Sequence, residues 1–324
     1  MVRIHDKAET GQAGATAATP AVVVDGLVKA YGATRAVDRL SFAVAPGEVF
    51  ALLGPNGAGK TTTIEILEGY RAPDSGKVRV LALDPIRDAR QLKLQIGVML
   101  QADGVQPMLT PREVLRLYAD FFPNPLDAEE LLDRVGLREA ARTRCRRLSG
   151  GQKRRLALAL AIIGRPALAF LDEPTTGMDP QARLATWEIV RELRAGGTTI
   201  ILTTHLLDEA ERLADRVAII DHGRLVTLGT PQELTGGNEL GLVRLLAAPG
   251  LPVAALAALP GVLSAREAEP GSYAIEAAPD ALPVALAAIT VWLRDNGVTL
   301  RELRVGHGSL EELFLRLTGR EERP

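Results

Sequence analysis

Residues 49–67 read VFALLGPNGAGKTTTIEIL, and this stretch contains the strongest indication of the fold. Its first five residues are apolar, and a short apolar run that ends in a glycine-rich turn predicts a buried strand. The turn, Gly54–Thr61, matches the pattern G-x-x-x-x-G-K-[ST]. Residues 62–67 continue in a helical pattern. A strand, a glycine-rich loop and a helix in this order predict a loop that binds phosphate groups.

The residue types of this loop suit the chemistry of phosphate binding. Glycines let the backbone turn tightly, so that N–H groups point inward at phosphate oxygens. Lys60 adds a cation for the β- and γ-phosphates, and the Thr61 hydroxyl can ligate Mg²⁺. The following helix directs its positive end at the same phosphates. We therefore predict a nucleotide site at Gly54, Pro55, Asn56, Gly57, Ala58, Gly59, Lys60, Thr61 and Thr62.

Further apolar runs alternate with longer helical patterns along the chain, which predicts an α/β fold with a mostly parallel sheet. Ala167–Leu171 and Thr199–Thr203 are predicted strands. Gln152–Ile163 and Ala182–Leu193 have helical apolar spacing. Several prolines and an irregular pattern predict an inserted helical subdomain at about residues 92–163.

The sequence divides into three parts. Residues 1–19 are polar and rich in Ala, Thr and Gly, which predicts a disordered tail. Residues 20–235 form the α/β domain. Residues 236–324 follow a glycine-containing linker and read as strand, helix, strand, strand, helix, strand and a last helix, which predicts a small ferredoxin-like α+β accessory domain. The apolar residues of that last helix are expected to pack on the accessory domain: Leu310, Leu313, Phe314 and Leu317.

Two adjacent carboxylates, Asp172 and Glu173, follow the predicted strand at Ala167–Leu171. Carboxylates at the end of a buried strand are costly unless they bind something cationic or polar. A helix N-cap followed by a surface acid would explain the pair equally well if it stood alone. Beside a phosphate loop, we interpret Asp172 as a Mg²⁺ ligand and Glu173 as the base that orients an attacking water.

A second phosphate-binding turn is predicted at the start of the helix that begins near Gln152. Ser149, Gly150 and Gly151 could present a hydroxyl and backbone N–H groups to an anion at a helix N-terminus. The residues themselves do not explain why one chain should carry two such turns.

Taken together, these motifs resemble those of the ATP-binding subunits of ABC transporters. The chain carries a Walker A loop (Gly54–Thr61), a signature (Leu148–Gln152) and a Walker B segment (Leu168–Glu173) in the order that this family shows. Gly177–Pro180 is similar to the family's D-loop, in which Leu is more frequent than the Met found at position 178. The resemblance covers about residues 22–235.

The resemblance implies ATP and Mg²⁺ as cofactors and a head-to-tail homodimer. Each ATP would lie between one subunit's Walker A loop and the other's signature, which explains the second turn. Asp179 would act across the dimer interface. Gln101 would reach Mg²⁺ and the water, His205 would contact the γ-phosphate, and Tyr31 would stack on adenine.

The resemblance also implies an integral membrane permease on a separate chain, with this protein in the cytoplasm on the inner face of the plasma membrane. No stretch reaches the ~20 apolar residues that span a bilayer. The net charge of −2 gives no reason to expect nucleic acid as a partner. Cys145 is the only cysteine, which excludes an intrachain disulfide and a cysteine-based metal cage.

The sequence is compatible with three kinds of ABC ATPase. Gly306–Phe314 resembles the tail of ATPases that serve drug, antibiotic or polysaccharide exporters, and export is the preferred interpretation. An importer ATPase is the nearer alternative, although its accessory domain is often a small β-barrel. A soluble ATPase acting on ribosomes or DNA is less favoured, because those proteins carry two ATPase cores, long coiled coils or zinc sites.

Overall fold

The computed structural model describes residues 19–99, 106–235, 241–306 and 310–318. Gln101, the linker residues 236–240 and all of the predicted tail except Thr19 lie outside the described residues.

The strands and helices within the described ranges are as follows. In chain order the strands are β1 (Val22–Tyr31), β2 (Thr34–Val44), β3 (Val49–Leu53), β4 (Ser75–Val80), β5 (Ile96–Met99), β6 (Leu168–Asp172), β7 (Thr199–Thr203), β8 (Arg216–Asp221), β9 (Arg224–Gly229), β10 (Gly241–Leu246), β11 (Val262–Glu269), β12 (Ser272–Ala277) and β13 (Glu302–Gly306). The helices are α1 (Lys60–Leu67), α2 (Ala89–Lys93), α3 (Pro111–Ala119), α4 (Ala128–Arg134), α5 (Gly150–Ile162), α6 (Pro180–Ala195), α7 (Leu207–Leu213), α8 (Pro231–Leu234), α9 (Val253–Ala257), α10 (Leu282–Asp295) and α11 (Leu310–Thr318).

The central sheet has six strands in the order β5-β6-β7-β3-β8-β9. The first five are parallel and β9 is antiparallel. All residues of β3 and β7 are buried, because a parallel sheet is covered on both faces. The prediction of an α/β fold with a mostly parallel sheet is therefore confirmed. The carboxyl ends of β3, β6 and β7 meet at one edge, where the predicted site residues follow them.

A second, antiparallel sheet of order β2-β1-β4 packs beside the central sheet and was not predicted. Its buried residues share a core with α1 and β3, where the Phe42 ring stacks on the Phe50 ring at a centroid distance of 5.1 Å. This packing holds α1 and the loop before it between the two sheets. It also places Tyr31 at the end of β1.

The helical insertion contains α3 and α4, which pack against α5 in the largest apolar core of the described residues. Thr110 caps α3 through reciprocal hydrogen bonds with Glu113. The predicted range of about 92–163 begins too early for a purely helical unit, because Ile96–Met99 forms the edge strand β5 of the central sheet. None of the described helices combines the length and apolar character needed to cross a membrane.

Residues beyond the linker form a four-stranded antiparallel sheet of order β11-β12-β10-β13. With α9 after β10 and α10 after β12, the elements follow the order expected for a ferredoxin-like unit. One face of the sheet and α10 share a core that includes Tyr273, Ile275, Ile289 and Leu293.

The last helix, α11, does not pack on this accessory core as the sequence analysis expected. Leu310, Leu313 and Phe314 instead pack against the α/β domain, on residues of β3, α7 and β8: Ala51, Leu53, Ala210, Val217 and Ile219. The backbone N–H of Leu310 donates to the Glu211 carboxylate of α7. Helical spacing identifies the apolar face of a helix but not its partner, which is why the expectation was wrong.

Candidate nucleotide site

The glycine-rich loop between β3 and α1 is held tightly against its neighbours. Gly59 has φ +100°, and a Cβ built on it would lie 2.3 Å from the Ala36 carbonyl oxygen. A Cβ on Gly54 would lie 2.3 Å from the Ile220 carbonyl oxygen. No side chain fits at either distance, so β2 and β8 fix the path of the loop.

The loop presents unpaired donors at the start of α1. No hydrogen bond to another described residue is made by the backbone N–H of Gly59, Lys60 or Thr61, whereas that of Ala58 donates to the Pro55 carbonyl at 3.1 Å. The first N–H groups of a helix have no partner within the helix, and together with the helix dipole they attract an anion. This arrangement fits a phosphate group.

Lys60 supplies the positive charge of this loop. Its side chain is buried, and Nζ donates to the carbonyl oxygens of Gly54 at 2.6 Å and Pro55 at 3.1 Å. Burial lowers the pKa of Lys60, while the carboxylates of Glu173 and Asp172 raise it. The structure therefore brings the lysine of the loop and the predicted acidic pair into one electrostatic site.

The two acids at the end of β6 make different contacts with β7. Asp172 accepts a hydrogen bond from the Thr203 hydroxyl of β7. The next residue, Glu173, has φ +48°, and its N–H donates to the Thr203 carbonyl at 2.9 Å. A non-glycine residue in the left-handed region costs conformational energy and is typical of functional sites.

Glu173 and His205 lie together at the carboxyl edge of the central sheet. Glu173 Oε1 is 3.2 Å from His205 Nδ1, and the Thr176 hydroxyl donates to Glu173 Oε2 at 3.2 Å. Both side chains are partly exposed. A carboxylate that is oriented on both oxygens and open to solvent can position a water molecule and accept its proton.

The oxygen donors near the loop fit a hard divalent cation such as Mg²⁺. Thr61 is the second residue of α1 and carries a hydroxyl, and Asp172 is the last residue of β6 and carries a carboxylate. Among the described residues no three His, Cys, Asp or Glu side chains form a metal-binding cluster. Mg²⁺ needs no such cluster when it binds with a nucleotide, because phosphates and water supply most of its ligands. Gln101, the third predicted ligand, lies outside the described residues.

In the signature turn, Ser149 and Gln152 form a capping box at the start of α5. The Ser149 hydroxyl accepts from the Gln152 N–H at 3.2 Å, and the Ser149 N–H donates to Gln152 Oε1 at 2.9 Å. Gly150 has open space where a Cβ would point, and a Cβ on Gly151 would lie 4.0 Å from Met178 Cγ. No hydrogen bond or ion pair between described residues joins this turn to the Walker A loop.

Asp179 and Tyr31 occupy exposed positions at the ends of elements. The Asp179 carboxylate caps α6 by accepting from the Ala182 N–H at 2.9 Å. Tyr31 is 43% exposed, with Arg71 Cζ 5.6 Å and Lys29 Nζ 5.8 Å from the ring centroid. An exposed ring flanked by cations is suited to stacking on a planar base.

Two buried acids near these residues were not predicted from the sequence. Glu68, at the end of α1, has its pKa raised to about 8, mainly by burial and then by the charges of Asp172 and Glu65. Glu209, on α7, has its pKa raised by burial. An acid within an otherwise apolar helical pattern is the signal that could have identified them. Burial also raises the pKa of the Cys145 thiol, which does not favour a reactive role.

Comparison with protein families gives a match to the ABC transporter family over residues 37–176. The chain is 38% identical to the daunorubicin resistance ATP-binding protein DrrA3 of Streptomyces coeruleorubidus, over 94% of this chain and 98% of that protein. It is 42% identical to the daunorubicin/doxorubicin resistance ATP-binding protein DrrA of Streptomyces peucetius, over 94% of each. It is 40% identical to the Nod factor export ATP-binding protein I of Ralstonia nicotianae, over 94% of this chain and 96% of that protein.

Solved structures share the fold of the α/β domain. The ATP-binding subunit of an ABC transporter is 30% identical, with a TM-score of 0.62, and covers 67% of this chain and 92% of its own. A dimeric ATP-binding cassette bound to ADP and Pi, 24% identical with a TM-score of 0.60, covers 64% of this chain and 98% of its own.

Proposed function

Because this chain belongs to the ATP-binding proteins of ABC transporters, we propose that its hydrolysis of ATP powers export through a separate membrane permease. The observation that carries the proposal is the meeting of the Walker A loop, the Asp172–Glu173 pair and His205 at one edge of the sheet.

The proposed mechanism assigns each side chain of this edge one task. Lys60 and the free N–H groups of the loop bind the phosphates. Glu173 orients the attacking water and accepts its proton, and His205, beside it, contacts the γ-phosphate. Thr61 and Asp172 would hold Mg²⁺, with Gln101 as a further ligand. When bound, the cation neutralises charge on the phosphate oxygens. Tyr31 stacks on adenine.

The other half of the site comes from a second copy of the chain. ABC cassettes form dimers and pair with membrane permeases. Ser149, Gly150, Gly151 and Gln152 would meet the ATP of the partner subunit, and Asp179 would act across the same interface. The open space beside Gly150 and the absence of a described link to the chain's own Walker A loop support this assignment.

Export is favoured over import by the relatives. Those reported above are named for drug resistance or for Nod factor export, and their similarity extends over both domains of this chain. The importer alternative predicts a β-barrel accessory domain, whereas this one is a four-stranded sheet with two helices. The permease, rather than this subunit, would select the substrate.

Co-expression with a permease tests the proposal. The gene neighbourhood is expected to encode a six-helix permease without a substrate-binding protein. When the two chains are produced together, this subunit should sediment with membranes, and when it is produced alone it should not. A neighbouring binding protein would instead support an importer, and sedimentation independent of the permease would contradict the proposed partner.

A further inference from the structure

Glu209 is a fully buried carboxylate to which the proposed mechanism gives no role. It lies on α7, the helix that begins two residues after His205, and its exposed fraction is 0%. A carboxylate without access to water is costly unless it is hydrogen-bonded. Its partners therefore indicate why the fold accepts it.

Two hydrogen-bond donors to Glu209 lie in the chain between Glu173 and the end of α6, and the Thr204 side chain, next to His205, is a further hydrogen-bond partner. Glu209 Oε1 accepts from the Thr175 hydroxyl at 2.8 Å and from the Trp187 indole N–H at 3.0 Å. Thr175 lies two residues after Glu173, and Trp187 lies on α6, the helix that Asp179 caps. One oxygen atom thus connects the turn after β6, the helix after the D-loop and the helix after His205.

The Trp187 side chain is buried and packs against two guanidinium groups. Trp187 is 2% exposed, and the guanidinium carbons of Arg183 and Arg212 each lie 5.5 Å from its ring centroid. The indole N–H can only donate, so it needs an acceptor in this buried place. An apolar side chain at position 209 would leave both donors without a partner.

We propose that Glu209 is a positioning residue, which fixes His205 against Glu173 by holding α7 onto the segment between Glu173 and Asp179. The distance it maintains is the 3.2 Å between Glu173 Oε1 and His205 Nδ1. Glu209 is fully buried and therefore acts on the reaction only through these two residues. The inference rests on the proposed roles of Glu173 and His205.

The test compares ATP hydrolysis by matched variants of the full chain. Thr175→Val keeps the shape of the side chain and removes the hydroxyl, while Thr175→Ser keeps the hydroxyl. Glu209→Ala removes the acceptor, while Glu209→Gln keeps an acceptor oxygen. Glu188→Ala is the control, because Glu188 is an exposed acid of α6 whose ion-pair partner is Arg191.

Thr175→Val and Glu209→Ala should lower kcat by about 10- to 100-fold, the cost of a misplaced catalytic group. The KM for ATP should change by less than about twofold, because the phosphate contacts of the Walker A loop are untouched. Thr175→Ser and Glu209→Gln should recover most of the loss. The double variant Thr175→Val/Trp187→Phe should lose less activity than the sum of the two single losses in free-energy terms, since both side chains donate to one oxygen atom.

Three outcomes separate this inference from the proposed function. Wild-type kcat in a folded Thr175→Val variant would overturn the positioning role, whatever becomes of Glu209→Ala. A matching rise in KM with unchanged kcat would also overturn it. If the wild type itself hydrolyses no ATP, or if Lys60→Ala hydrolyses it normally, the proposed function fails instead.

Discussion

Lys60 is buried and lies near two carboxylates of opposite charge. The net effect of burial and of these charges on its pKa indicates the role of the side chain. Burial of the ammonium group costs free energy, which the carboxylates of Asp172 and Glu173 and two carbonyl oxygens offset only in part, because its pKa remains lowered. A buried ammonium group of this kind does not contribute to the stability of the fold. It is well explained by a role in binding phosphate.

Lys60→Ala should therefore lower the rate of ATP hydrolysis by roughly 100-fold or more, the usual effect of losing a group that stabilises transition-state charge. The thermal unfolding midpoint should change little, because the variant removes a partly compensated buried charge. Lys77→Ala, at an exposed lysine of β4, provides the control. Hydrolysis by Lys60→Ala at the wild-type rate would refute the site assignment.

Glu68 makes the stability of the nucleotide-free protein depend on pH. Its folded-state pKa of about 8 lies above the ordinary value of 4.5, so the folded state binds a proton that the unfolded state releases. The free energy of unfolding should fall as pH rises from 5 to 8, by on the order of 3 kcal/mol.

The Glu68→Gln variant isolates this contribution, because its side chain has nearly the same shape and does not titrate. Chemical denaturation at pH 5 and pH 8, without nucleotide or Mg²⁺, would measure the difference. The variant should lose this part of the pH dependence and be more stable than the wild type at pH 8. An identical pH profile in both proteins would show that Glu68 ionises normally in the folded state.

The residues of the site could be predicted where a local motif carries the chemistry. The spacing of Gly54–Thr61 and the acidic pair at the end of β6 are local patterns, so these residues could be predicted without knowing their distant contacts. The hydrogen bonds from Thr203 to Asp172, and from Thr175 and Trp187 to Glu209, join segments far apart in sequence. The sequence can show that an acid lies on the apolar face of a helix, but no local pattern identifies the distant group that it contacts.

At the scale of elements, strong periodicity was a reliable guide. The strand at Thr199–Thr203 has the bounds that its apolar run predicts, and helix α6 contains the predicted helical range Ala182–Leu193. The sheet formed by β1, β2 and β4 escaped notice, because its strands are half-buried and their pairs are interrupted by register shifts. Irregular pairing weakens the alternation by which a strand is recognised.

Helix α11 offers a direct test of its packing on the α/β domain. Leu310 is fully buried there, whereas Leu317 on the same helix is 38% exposed. Leu310→Ala should lower the free energy of unfolding by about 2–5 kcal/mol, as large-to-small changes in a core do. Leu317→Ala should lie within about 0.5 kcal/mol of the wild type. Denaturant unfolding measures both, and equal effects would contradict the packing.

The packing of α11 on the α/β domain also determines what truncation of the chain near residue 235 should do. Every described nucleotide-site residue lies before that point, so the motifs would survive. Removal of α11 would nevertheless expose the apolar residues that it covers on β3, α7 and β8. We therefore expect the truncated protein to bind ATP but to be less stable than the full chain, and α11 belongs structurally to the first domain.

The whole molecule carries two turns that are predicted to bind phosphate, and no hydrogen bond or ion pair between described residues connects them. The Walker A loop lies between β3 and α1, while the signature turn opens α5 beside Met178. A second copy in head-to-tail arrangement would bring one such turn of each chain to each ATP. The γ-phosphate would then hold the two chains together, and its hydrolysis would let them separate.

Glu173→Gln tests this shared site, because it keeps the shape and one acceptor oxygen of the side chain but removes the basic carboxylate. Asp172 and Thr61 remain to hold Mg²⁺, and Ser149 of the second copy remains to meet the γ-phosphate. ATP should therefore bind without turnover, and the dimer should accumulate.

Size-exclusion chromatography with light scattering, with and without ATP, should show the mass of the Glu173→Gln variant doubling only when ATP is present. Adding Lys60→Ala to the same variant should abolish the doubling, because the phosphates lose their main cation. Normal hydrolysis by Glu173→Gln would remove Glu173 from the mechanism. A variant that stays monomeric while saturated with ATP would show that these phosphates do not join the two chains in the absence of the permease.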